Sequence, residues 1–267
     1  RSSAASDVYK RQVLNLFDSD DYGSKILNQI SDFLRDRITK KGTNADVRDV
    51  LVYFVGHGGL TIDSSTFYLT IRRTEKEYEK ATSIVIDDLA ERLKKEARFQ
   101  RRILILDCCF AARAVKFLQG PAPEVLLQEK TSAAFEEKDR GEGEGYPSRG
   151  TSFLASSGKD IASIILSDEA STMFTSALLS VLHTGDSFQK TKQLSLRRVH
   201  RLTIDFLSKT YRDNFPRPEL HSPDQCEGDV AEIPFFPNPW IEKQRPQLRI
   251  TEERRRKVEK EHDHRIE

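Results

Sequence analysis

Two unbroken apolar runs constrain this chain more than any other feature, because each stops abruptly at a chemically reactive side chain. Val50 to Val55 are six apolar residues in a row, followed at once by Gly56, His57, Gly58 and Gly59. Residues 102–106, RILIL, hold the second run, four apolar residues behind Arg102, and lead directly into Asp107, Cys108 and Cys109. Short continuous apolar runs bounded by glycine or polar residues read as strands buried on both faces of a parallel sheet. Between them Ile86, Leu89, Ala90, Leu93 and Ala97 recur at helical spacing, with Asp87 placed as the helix cap. Two strands joined through a helix make a parallel pair whose C-terminal ends share one edge of the sheet, which is where ligands and catalytic groups of open α/β sheets collect. His57 and the Asp107–Cys109 block are therefore expected together.

The rest of the chain reads around that unit. Ile26, Leu27, Ile30, Phe33, Leu34 and Ile38 predict a helix, with Asp18, Asp20 and Asp21 at its N-terminus. Carboxylates there suit capping and the helix dipole; a metal pocket is the other reading of the three. Residues 65–73, STFYLTIRR, predict a further and more exposed strand, and FAARAVKFL a helix starting just after the cysteines. Residues 136–150 are polar and glycine-rich, as in an exposed loop, and residues 241–267 are a charged helix or linker. Residues 1–12, RSSAASDVYKRQ, resemble a translated sequencing adaptor of the kind found at the edges of metagenomic reading frames. Set aside, they leave one α/β domain over 13–240.

Composition excludes several classes. With 43 Lys plus Arg against 42 Asp plus Glu, no global charge draws the chain toward nucleic acid or an anionic membrane surface. Nothing approaches the roughly 18 apolar residues of a spanning helix. Three cysteines, two of them adjacent, make no disulfide framework and suit a reducing, cytoplasmic setting.

A free cysteine beside a strand is usually a small buried side chain. A histidine at the neighbouring strand end changes the balance, since a thiol within reach of a base is a nucleophile. A metal site from His57, Cys108 and Cys109 is weaker, because adjacent cysteines do not readily converge on a tetrahedral ion. A receiver-like domain using the acids near Asp18 leaves the His-Gly block unexplained. In extended backbone Asp107 and Cys109 point to one side and Cys108 to the other, so Cys108 reads as packing.

LVYFVGHGG and ILILDCCFAA resemble the His and Cys blocks of caspase-like cysteine peptidases, the group that includes metacaspases and paracaspases, and especially bacterial caspase-like domains of multidomain signalling or conflict proteins. FLASSGKDIAS, STMFTSALLSVLHTGD, FPRPELHSP and AEIPFFPNP resemble that family's later elements. The resemblance implies an α/β caspase-like fold over 13–240, a mostly parallel central sheet flanked by helices on both faces. It also implies that the family's first strand precedes Val13, so that this chain is an N-terminally truncated fragment.

By the same resemblance Cys109 is the nucleophile and His57 its proton partner. The backbone N–H groups of Gly58 and Cys109 form the oxyanion hole, and Asp107 binds a basic P1 side chain. Cleavage after Arg or Lys follows from a carboxylate in that place; a helix cap is the plainer role for Asp107. Asp160 is a further candidate pocket acid, and Arg140 and Arg149 suit self-cleavage in the 136–150 loop. The implied activity needs no cofactor, with calcium activation left open. The implied partners are protein or peptide substrates and fused or associated signalling domains, with no nucleic acid and no membrane. A non-catalytic caspase-like module that signals by assembly is the alternative, against which stands the retention of both His57 and Cys109.

Overall fold

A computed structural model describes residues 13–39, 47–61, 66–109, 146–157, 171–212, 215–224 and 228–241. The chain divides into two compact units, one running to Thr172 with the addition of Pro216–Ala231, the other comprising Met173–Phe215 and the residues from Glu232 onward.

The first unit is built on a four-stranded sheet. β1 (Asp49–Val55) and β5 (Arg101–Asp107) pair in parallel along their whole length, from Asp49 opposite Arg101 to Val55 opposite Asp107. β6 (Gly150–Ala155) is parallel to β5, and β8 (Glu219–Asp224) closes the order β1-β5-β6-β8 as an antiparallel strand. The β1–β5 register is fixed at its start by Arg101, whose Nε and Nη2 donate to Asp49 Oδ1 and Oδ2 at 2.6 and 2.7 Å. This fork-to-fork geometry specifies alignment as well as adding energy.

Side-chain alternation splits the sheet into two faces. Leu104, Leu106 and Cys108 of the β5 run join Val50, Phe153 and Ala155 in one core cluster, whereas Ile103 and Ile105 do not. That cluster is completed by α1 (Gly23–Thr39), through Ile26, Leu27 and Leu34, and by α3 (Ile86–Glu96), through Leu89, Ala90 and Leu93. The apolar stripe expected on α3 is therefore its buried face, Ala97 included. Its cap differs from expectation. The N-cap residue is Val85, without a side-chain cap bond, and Asp87 lies inside the first turn, where a negative charge still suits the dipole.

Two other expectations are corrected. β5 is buried on both faces, but β1 is not: Leu51 and Tyr53 are 47% and 44% exposed. Among the described residues β1 is an edge strand of the sheet, and only its Val50 face meets the helical layer. The 65–73 segment is less exposed than expected. Its strand, β3 (Phe67–Leu69), buries Phe67 and Leu69 completely or nearly so between β2 (Gly58–Leu60) and β4 (Ile84–Val85) in a small antiparallel sheet. A one-turn helix, α2 (Glu79–Thr82), precedes β4.

The acids before α1 are engaged with basic side chains. Lys25 and Gln29 both donate to Asp21, at 2.7 and 2.9 Å, and Arg72 pairs with Asp18 and Asp20 at 3.3 and 3.2 Å. Among the described residues no cluster of three or more His, Cys, Asp or Glu is arranged to hold a metal. No described helix is long and apolar enough to cross a membrane.

In the second unit α4 (Met173–Thr184) packs on α5 (Leu196–Tyr211), beside an antiparallel ribbon of β7 (Gln193–Ser195) and β9 (Pro234–Pro237). Fully buried Asn238 ties the turn before β7 in place, donating to the carbonyls of Asp186, Gln189 and Thr191 at 3.1–3.2 Å. The helix expected at FAARAVKFL, Asp160, Arg140, residues 136–145 and residues 242–267 lie outside the described residues.

Candidate active site

The C-terminal ends of β1 and β5 carry the two reactive blocks, and their backbones are joined there. Gly56 N–H donates to the Asp107 carbonyl at 3.0 Å, which carries the ladder one residue beyond β1. His57 follows, its carbonyl accepting from Thr70 N–H at 2.8 Å, and Gly58 opens β2 opposite Leu69. The His57 backbone is thus held by its neighbours while its side chain is exposed.

Gly58 is the point of closest approach. A Cβ there would stand 2.5 Å from the Cys109 carbonyl oxygen and 3.0 Å from both Cys108 Sγ and Phe67 Cζ. The structure fills that space with the cysteine segment itself, so glycine is required for the two blocks to pack at all.

Adjacent cysteines occupy opposite environments. Cys108 is fully buried, on the Leu104–Leu106 side of the sheet, and burial pushes its thiol well above the ordinary value of 9.0, with the Asp107 and Cys109 charges adding to the effect. A thiol held protonated in an apolar core is a poor nucleophile. Cys109 is partly exposed, beyond the end of β5.

The turn after β5 is fastened from β6. Ser156 N–H donates to the Leu106 carbonyl at 3.0 Å, and Cys108 N–H donates to Ser156 Oγ at 3.2 Å. The hydroxyls of Ser156 and Ser157 both donate to the Cys108 carbonyl, at 3.3 and 3.0 Å. These serines fall in the FLASSGKDIAS stretch, which by itself assigns them no role. Their local signal is a polar pair just past an apolar strand at the same sheet edge.

Asp107, the last residue of β5, is fully buried, and Thr172 Oγ1 donates a hydrogen bond to its Oδ2. Thr172 lies 65 residues away along the chain, and nothing in the local sequence announces it.

No curated protein matches the chain by sequence. Among solved structures, a protein from Geobacter sulfurreducens is similar at a TM-score of 0.47 and 15% identity, over 89% of this chain and 86% of that one. Caspase-1 from Spodoptera frugiperda is similar at a TM-score of 0.42 and 13% identity, over 73% of this chain and 67% of that one. The family description of the caspase domain matches residues 15–254, from before α1 to beyond β9. That span includes both strand ends and the residues packed behind them, and the chain belongs to the caspase-domain family of cysteine-type peptidases.

Proposed function

We propose that the protein is a cysteine endopeptidase whose nucleophile is Cys109 and whose proton partner is His57. The observation that carries this reading is the approach of Gly58 to the Cys109 carbonyl, which brings the His-Gly turn against the turn bearing the partly exposed cysteine. The competing thiol, Cys108, is withdrawn into the core.

The chemistry then follows from the parts. Cys109 Sγ attacks the scissile carbonyl carbon, and the electron pair of the C=O bond moves to oxygen. The N–H groups of Gly58 and Cys109 stabilise that oxyanion, the charge that develops only as the transition state is approached. His57 takes up the thiol proton and delivers it to the amine as the C–N bond breaks, leaving a thioester that water hydrolyses. No cofactor enters these steps.

In the same reading Asp107 sets a preference for Arg or Lys at P1. A carboxylate removed from water attracts a cation more strongly than an exposed one and disfavours an acidic side chain. A second role, in which Asp107 only supports the end of β5, is also compatible with its enclosure. The substrates are proteins or peptides, and the test is hydrolysis of matched fluorogenic peptides ending in Arg, Lys, citrulline or Asp. Turnover of the Arg and Lys peptides, lost in Cys109→Ala and kept in Cys108→Ala, is the expected pattern. Equal turnover of the Arg and citrulline peptides restricts Asp107 to the supporting role, and turnover that survives Cys109→Ala removes the proposed nucleophile.

A further inference from the structure

We infer that Thr172 is a positioning residue for substrate selection, fixing the Asp107 carboxylate in the orientation that receives a basic P1 side chain. This rests on the reading of Asp107 given above and adds to it a residue outside both reactive blocks. Asp107 is the final residue of a strand that is buried on both faces, and its side chain is fully enclosed. An aspartate has two side-chain torsions, so its backbone position leaves the carboxylate plane undetermined. Thr172, itself buried, supplies one constraint on that plane by donating Oγ1–H to Oδ2.

The chemistry of the donor matters. A threonine hydroxyl is neutral, so it orients the carboxylate without cancelling its charge. An arginine or lysine in the same place would form an ion pair and compete with the incoming P1 cation. Threonine is also stiff at χ1, and a stiff donor holds one geometry at little further entropic cost. A pre-oriented acceptor gains affinity mainly because less ordering remains to be done when the substrate binds.

The test measures affinity in the full chain carrying Cys109→Ala, so that binding is read without turnover. Two peptides are compared by calorimetry, identical except for Arg or its uncharged isostere citrulline at P1. With Thr172 and Asp107 intact, the Arg peptide binds more tightly. Thr172→Val keeps the shape and removes the donor, and is expected to lower the Arg-to-citrulline affinity ratio about tenfold, the scale of losing one hydrogen bond to a charged group. Citrulline affinity stays unchanged, which a general disruption of the site would not allow. Thr172→Ser, which restores the hydroxyl, returns the ratio toward the parent value, and Asp107→Asn abolishes it. Should the valine variant not fold by circular dichroism, Thr172→Ala carries the same comparison.

A ratio unchanged in Thr172→Val while Asp107→Asn abolishes it overturns the role of Thr172 and leaves Asp107 as the specificity group. No Arg preference in the parent overturns the P1 reading itself, and the role of Thr172 with it.

Discussion

β1 and β5 are equal in length, paired in full register and apolar through their middles, yet only β5 is covered on both sides. Leu51 and Tyr53 of β1 are nearly half exposed, while their partners Ile103 and Ile105 on β5 are buried. The His and Cys blocks inherit this difference. His57 follows β1 and is exposed, whereas Asp107 and Cys108 are enclosed where β5 ends, and Cys109 emerges only after the strand has stopped. One sheet edge thus carries an exposed histidine on its open side and a partly exposed cysteine on its packed side.

The sharpest way to break this contrast is at the two cysteines. Cys109→Ala is expected to lower kcat/KM on an Arg-ending peptide by at least about a thousandfold, as loss of an essential nucleophile does. Cys108→Ala should change it only a few-fold, since that side chain packs with Leu104 and Leu106 and has no role in the proposed mechanism. Steady-state kinetics on both variants decides the matter, and a larger loss from Cys108→Ala would reverse the assignment.

Stability separates the strands themselves. Leu104→Ala should destabilise the protein by about 2–5 kcal/mol, the range for opening a cavity in a packed core, and Leu51→Ala by less than about 1 kcal/mol. Urea denaturation of the two variants gives the difference directly; equal losses would mean that β1 is covered after all. Gly58→Ala should cost about 1–3 kcal/mol in the same assay and also lower turnover, because the added methyl meets the Cys109 carbonyl rather than a flexible side chain.

The smallest effect is in alkaline solution. Burial raises the Cys108 thiol above its ordinary 9.0, so above that pH the unfolded chain releases the proton while the folded chain retains it. Folding stability contributed by this group is present below about pH 9 and lost as pH rises beyond it, by up to about 1 kcal/mol per pH unit. Chemical denaturation across about pH 8–10 should therefore show a steeper decline in the parent than in Cys108→Ala. Parallel declines would place Cys108 in a more polar setting.

Local pattern carried the parts of this structure that depend on nearest neighbours along the chain. The stripe of Ile86, Leu89, Ala90, Leu93 and Ala97 became the buried face of α3, and alternation along β5 correctly set Cys108 apart from Asp107. Alternation could not report how many layers cover a strand, because an all-apolar run looks the same with one covered face or two; hence the misreading of β1. β3 was read as more exposed than it is because Phe67 and Leu69 join a core cluster built from elements distant along the chain. The contacts of Thr172, Ser156 and Ser157 were illegible for the same reason. Their partners lie 48 to 65 residues away, and nothing within a local window records such contacts.

Covalent labelling tests the central claim most directly. The folded protein is treated with a peptidyl chloromethyl ketone ending in Arg, and the adduct is mapped by mass spectrometry. A single adduct on Cys109, lost in His57→Ala and slower with the Asp-ending reagent, is the predicted result. An adduct on Cys108, or none on either cysteine of a folded protein, would contradict the assignment of a Cys109–His57 dyad at this sheet edge.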